Sequence, residues 1–231
     1  ICFLEGAANV ADILENENIG SRDEGPFVMS LERDARAFSL ASSHLDTISK
    51  HGLGKKASKE ARKLRDADAN LTLEHVSDSV SFTYKKTRCE LRRVNDALAT
   101  VEDMAYNDNS HIKPFDVVFV DADKTRMLQY VEACVSSDKV LKKGGLIIVD
   151  NVLWKGLVLD ASDYRARNVS EEESNNQRLQ SEVSEKERKR SRRARKLAST
   201  MDHFNKAIIR DDRIEVVMLP IRDGLSIIRK L

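Results

Sequence analysis

Phe115-Asp-Val-Val-Phe-Val-Asp121-Ala-Asp123-Lys124 and Gly145-Leu-Ile-Ile-Val-Asp150-Asn151-Val-Leu-Trp154 share one plan. Each is a nearly all-apolar run that closes on a carboxylate. Such a run, bounded by turn residues, reads as a strand buried on both faces, as in a parallel sheet. In open α/β sheets, ligands bind outside the carboxyl ends of the strands. Asp121, Asp150 and Asn151 are therefore expected together on one rim. Two carboxylates and an amide oxygen make a hard, all-oxygen donor set that suits Mg²⁺ or another divalent cation.

Outward from these runs the pattern alternates between strand and helix. Residues 27–31 read as a strand closed by Glu32, and residues 35–48 as a helix stopped at His51-Gly52-Leu53-Gly54. Residues 90–94 read as a strand, 97–104 as a helix and 126–135 as a helix. Lys142-Lys143-Gly144-Gly145 reads as a turn, and residues 201–209 as a helix. Two strands, 214–219 and 225–231, flank Pro220-Ile-Arg-Asp223-Gly224, and a tight Asp-Gly connection favours an antiparallel hairpin. Residues 1–17 have helical spacing, while 71–88 have no decisive period. The expected fold class is α/β: a Rossmann-like, doubly wound, mostly parallel sheet with an antiparallel C-terminal hairpin. Residues 1–231 read as one domain with charged insertions at about 55–88 and 161–199. The second insertion carries a basic run, Lys186 to Lys196.

Composition narrows the function classes. The chain has 231 residues with 41% hydrophobic content, enough for a core. Lys+Arg 39 against Asp+Glu 38 leaves a net charge of +1, so no global field steers it toward nucleic acid or a membrane. The basic run is interleaved with Glu187 and has no aromatic side chain for base stacking, so it reads as a solvated face. Cys2, Cys89 and Cys134 have neither metal-ligand nor disulfide spacing, which favours a reducing, cytoplasmic setting. No apolar run is long enough for a membrane span. The five histidines show no ligand spacing.

The run Phe-Val-Asp-Ala-Asp-Lys, then Gly-Gly-Leu-Ile-Ile-Val-Asp-Asn-Val-Leu-Trp, then Leu-Pro-Ile-Arg-Asp-Gly-Leu resembles the cation-dependent O-methyltransferases of the catechol and caffeoyl-CoA group. The resemblance covers roughly residues 26–50, 89–155 and 201–231, and the motifs occur in the family's order. It implies S-adenosylmethionine as cofactor, Mg²⁺ or another divalent cation, and a small aromatic hydroxyl compound as acceptor. It implies Asp121, Asp150 and Asn151 as metal ligands, with Asp121 also near the cofactor's methionine end. Lys124 takes the place of the general base. Glu32 matches the acidic residue that holds the cofactor ribose, Ala97 an adenine-pocket position, and Asp123 a cofactor-side residue. Trp154 is placed to flank the substrate. The family is often dimeric, which makes a homodimer the expected assembly.

Chemistry agrees with that assignment. A phenol has a pKa near ~10 and is a poor nucleophile at neutral pH. A divalent cation holding vicinal oxygens favours the phenolate and fixes the acceptor. Methyl transfer from a sulfonium then depends mainly on in-line positioning.

The chain departs from the family at the glycine-rich loop after the first central strand. Only Leu4-Glu5-Gly6-Ala-Ala-Asn9 stands near it. Either residues 1–5 are a degenerate first strand with Gly6 in a damaged loop, or residues 1–17 are the helix after the loop. In the second reading, which is preferred, the chain is an N-terminally truncated member and the central first strand lies upstream. Lys155 is a second departure, at a position that contacts substrate in the caffeoyl-CoA branch. Two alternatives to a small-molecule O-methyltransferase stay open: a truncated or pseudoenzyme chain that keeps the fold as an interaction module, and a second enzyme reading, a nucleic-acid methyltransferase suggested by the basic run.

Overall fold

A computed structural model describes residues 26–51, 78–84, 87–108, 112–159 and 185–231. The expected helix at 1–17, the glycine-loop candidate and most of both insertions fall outside these residues. The chain divides into two compact units, Ile1–Ala97 and Leu98–Leu231.

In the first unit, strand β1 (Phe27–Glu32) pairs in parallel with β3 (Thr87–Arg93), which pairs antiparallel with β2 (Ser79–Tyr84). Helix α1 (Ala35–His51) begins at Asp34, whose Oδ1 accepts from the backbone N–H of Arg36 and Ala37, both at 2.9 Å. This cap satisfies two of the helix's orphan donors. Phe38, Cys89 and Leu91 are buried in this unit's core. Strand β2 lies within the segment read as an insertion. Its pairing to β3 is a tertiary event that Ser-Val-Ser-Phe-Thr-Tyr does not announce on its own.

The second unit holds α2 (Ala97–Tyr106, its first residue on the unit boundary), β4 (Phe115–Val120), a 3₁₀ turn (Lys124–Arg126), α3 (Met127–Val135), β5 (Leu141–Asp150), α4 (Glu185–Ile208), β6 (Ile214–Leu219) and β7 (Leu225–Lys230). The sheet order is β4-β5-β7-β6. β4 and β5 are parallel, and β7 is antiparallel to both of its neighbours. The α/β class and the antiparallel terminal hairpin agree with the sequence. The described strands form two sheets, with two parallel and three antiparallel pairings among them.

Two boundaries move. Lys142–Gly145 is not a turn but part of β5: Phe115 pairs with Leu141, Val117 with Leu146, and the extra residues bulge out. Gly144 at φ +75° and Gly145, whose absent Cβ would lie 2.7 Å from Leu141 Cδ1, make that bulge feasible. The second shift is at α4, which runs unbroken from Glu185 and not from 201, so the basic run is the first half of that helix.

Helical spacing explains the core. Met127, Tyr130, Val131, Cys134 and Val135 line one face of α3, and Ala198, Met201, Asn205 and Ile208 one face of α4. Helix α3 packs on β5 and on α4, and Leu141, Ile147, Val149 and Ile228 of the sheet are essentially without exposure. Each such aliphatic side chain contributes about 1.5–3 kcal/mol on burial. Cys89 and Cys134 are free and buried. No helix among the described residues is long and apolar enough to cross a membrane.

Candidate active site

Val120 of β4 lies opposite Val149 of β5, so Asp121 and Asp150 leave the sheet side by side at its carboxyl end. Lys124 sits one turn beyond Asp121 and folds back over both strand ends. Its Nζ donates to Asp121 Oδ1 at 2.7 Å and to the Asp150 carbonyl at 3.3 Å. The lysine side chain is 13% exposed and the Asp121 side chain 54%, so the ammonium is tucked under a carboxylate that faces solvent.

Asp123 caps the 3₁₀ turn. Its Oδ1 accepts from Thr125 N at 3.0 Å and Thr125 Oγ1 at 2.8 Å, and its Oδ2 from Arg126 Nε at 3.3 Å. The Thr125 hydrogen bonds hold this carboxyl below the ordinary aspartate range. Both oxygens therefore have partners within the turn itself, which fixes the direction in which Lys124 leaves it.

Asp150 Oδ1 accepts from the Asn151 backbone N–H at 2.7 Å. Asn151 takes φ +66°, a left-handed conformation that asparagine adopts more readily than most residues. Trp154, Lys155 and Gly156 follow at φ +44°, +59° and +77°. Trp154 Nε1 is buried without a hydrogen-bond partner.

The loop after Asn151 is fixed from two sides. Val152 N donates to the Gly224 carbonyl at 3.2 Å and Leu153 N to the Asp223 carbonyl at 2.8 Å. From α4, Asn205 Nδ2 donates to the Val152 carbonyl at 2.9 Å. Gly224, at φ +85°, approaches so closely that a Cβ there would lie 2.5 Å from Leu153 Cγ.

The structure thus brings together Asp121, Lys124, Asp150 and Asn151, with Trp154 three residues farther along the same loop. Glu32 and Ala97 belong to the first unit. Glu32 ends β1, and its Oε1 accepts from the N–H of Arg33 and Asp34, both at 2.8 Å. Ala97 is the first residue of α2. In the sequence Asp223-Gly224 reads only as a turn, and Asn205 does not stand out. The turn residues carry a local signal, but a buried carboxamide on an amphipathic helix carries none.

Among the described residues, no group of three or more His, Cys, Asp or Glu side chains could hold a metal. The expected donor set differs in kind, being two carboxylates and one amide.

The O-methyltransferase family model matches residues 84–231, more than half of the chain. Caffeoyl-CoA O-methyltransferase 1 of Zea mays is 33% identical over 139 residues, covering 60% of this chain and 43% of that protein. Caffeoyl-CoA O-methyltransferase of Medicago sativa is 30% identical over 139 residues, covering 60% of this chain and 45% of that protein. The chain thus spans less than half the length of these relatives. Among solved structures, an SAH-bound methyltransferase of Podospora anserina is 20% identical, with a TM-score of 0.48, covering 88% of this chain and 60% of that one. The matched segment contains both strand-end motifs, the loop they support and the terminal hairpin, and the chain belongs to the O-methyltransferase family.

Proposed function

We propose that the protein transfers a methyl group from S-adenosylmethionine to a hydroxyl of a catechol-like or phenylpropanoid-like small molecule, assisted by Mg²⁺ or another divalent cation. One observation carries this reading: Asp121, Lys124, Asp150 and Asn151 converge at the carboxyl end of the β4–β5 pair.

The residues fit such a cation. Asp121 is half exposed, and Asp150 uses Oδ1 for the Asn151 amide, leaving Oδ2. Two carboxylates and an amide supply too few donors for a full shell, which suits an ion that keeps several waters or takes oxygens from its acceptor. A bound cation would draw charge from the acceptor hydroxyl and favour its phenolate.

The chain's own residues do the rest. Asp121, Asp150 and Asn151 would fix the acceptor oxygens at the strand ends. Lys124 Nζ, which donates to Asp121 and to the Asp150 carbonyl, would receive the hydroxyl proton only as the neutral amine, since an ammonium has no lone pair. Trp154 would wall the aromatic ring. Glu32 and Asp123 are assigned to S-adenosylmethionine, and Ala97 to its adenine, on the family motif alone.

The test is methylation of a catechol acceptor with labelled S-adenosylmethionine. EDTA should abolish turnover and added Mg²⁺ restore it. Lys124→Met should lower kcat by about 10²–10⁴-fold, the usual worth of a positioned acid–base group. EDTA-resistant methylation, or a Lys124→Met variant with full kcat, would refute the reading.

A further inference from the structure

Asn205 is 7% exposed, on the buried face of α4. Its Nδ2 holds the Val152 carbonyl at 2.9 Å, while its Oδ1 is buried without a hydrogen-bond partner. A carboxamide in the core that satisfies only one end is costly to keep for packing alone. What it holds is the first stretch of chain after the Asp150-Asn151 pair.

That stretch needs holding. Asn151 is left-handed and its N–H bonds back to Asp150, so the direction of its side chain depends on where the next peptide units lie. The Val152 N–H is fixed by the Gly224 carbonyl and the Leu153 N–H by the Asp223 carbonyl. Both come from backbone. The Val152 carbonyl is fixed by Asn205, the side chain among these three tethers. Helix α4 also packs on the 3₁₀ turn that carries Lys124, so one helix meets both halves of the site.

We propose that Asn205 is a positioning residue for the cation site: by anchoring the Val152 carbonyl it orients Asn151, and so sets the affinity for a divalent cation. This rests on the cation reading given above. Groups standing behind metal ligands commonly contribute about 10–100-fold in metal affinity.

Mn²⁺ binding to the full chain, followed by the electron paramagnetic resonance signal of the free ion, tests this without turnover. Asn205→Ala should weaken Mn²⁺ binding about tenfold or more. Lys206→Ala, at the exposed neighbouring position, should leave it unchanged. Thermal melts without Mn²⁺ identify a variant that fails to fold. Should alanine do so, Asn205→Leu keeps the volume, loses both the donor and the unpaired acceptor, and should show the same loss. Faster amide exchange at Val152 and Leu153 in a folded variant is the accompanying structural signature. A folded Asn205 variant with wild-type Mn²⁺ affinity overturns the positioning role and leaves the cation site standing. Wild-type binding no tighter than that of Asp150→Asn overturns the cation site itself, and the positioning role with it.

Discussion

Replacing Lys230 with Met should be among the most damaging single changes in the second unit, although Lys230 lies at the end of a terminal strand. Its side chain is 5% exposed. Nζ donates to the carbonyls of Cys134 at 3.2 Å, Ser137 at 2.9 Å and Leu141 at 3.0 Å, and pairs with Asp138 Oδ1 at 2.9 Å. One ammonium thus gathers carbonyls from the end of α3 and the start of β5, where a cation also meets the negative end of the helix dipole. Methionine keeps most of the stem and removes the donors. A hydrogen bond to a charged group is worth about 1.5–3 kcal/mol, so two to buried carbonyls are worth about 3–6 kcal/mol, while Asp138, largely exposed, is left solvated. With the Cys134 and Leu141 carbonyls left in buried surroundings, a loss of about 3–6 kcal/mol is expected. At about 2–4 °C per kcal/mol for a domain of this size, Tm should fall by about 6–24 °C.

The pH dependence has a definite sign. The Lys230 hydrogen bond holds Asp138 below its ordinary value of 3.8 in the folded protein. That pairing therefore stabilises the fold fully above the ordinary aspartate value, and its contribution is lost as pH falls toward the lowered one. The gap between wild type and Lys230→Met should narrow in acid without closing, because the carbonyl bonds do not titrate. Urea denaturation at pH 7 and in the acid range measures both effects. A loss under about 1 kcal/mol at pH 7 would refute the account, since it would mean the carbonyls find other donors at no cost.

Two further outcomes are expected. Gly224→Ala must place a Cβ at φ +85°, 2.7 Å from Leu153 N, so the left-handed cost and the overpacking together should destabilise by about 2–4 kcal/mol in urea melts; wild-type stability would show that the turn yields freely. Burial raises the thiol pKa of Cys89 to about 11 and that of Cys134 to about 12, so peptide mapping after iodoacetamide at pH 8 should find both unlabelled in the native protein and labelled in urea; native labelling would refute their burial.

Much of this was legible in the sequence. Phe115–Val120 and the end of β5 are apolar enough to be strands in almost any context, and their terminal carboxylates mark the rim. Asp223-Gly224 named the hairpin. Lys124 lies three residues beyond Asp121, and the intervening turn brings its Nζ back onto that carboxylate. What could not be read was set by partners distant in sequence. Lys142–Gly145 resembles a turn until β4 pairs beside it and makes it a bulge. The first half of α4 has no apolar stripe to announce a helix. Strand β2 is defined by its register with β3. Asn205 has a role only because the Val152 carbonyl comes to meet it, and Lys230 reads as a surface lysine until three carbonyls converge on it.

The tethers on the Val152 loop also impose an order in time. Leu153 is held by Asp223 and Val152 by Gly224, residues made well after the loop itself. At about 5–20 residues per second, a ribosome needs several seconds to go from one to the other. Throughout that interval Asp121 and Asp150 can exist on a nascent sheet while Asn151 still lacks its supports. The strand ends would thus be present before the loop beside them is fixed, and that loop would take its shape only when the β6–β7 hairpin closes over it.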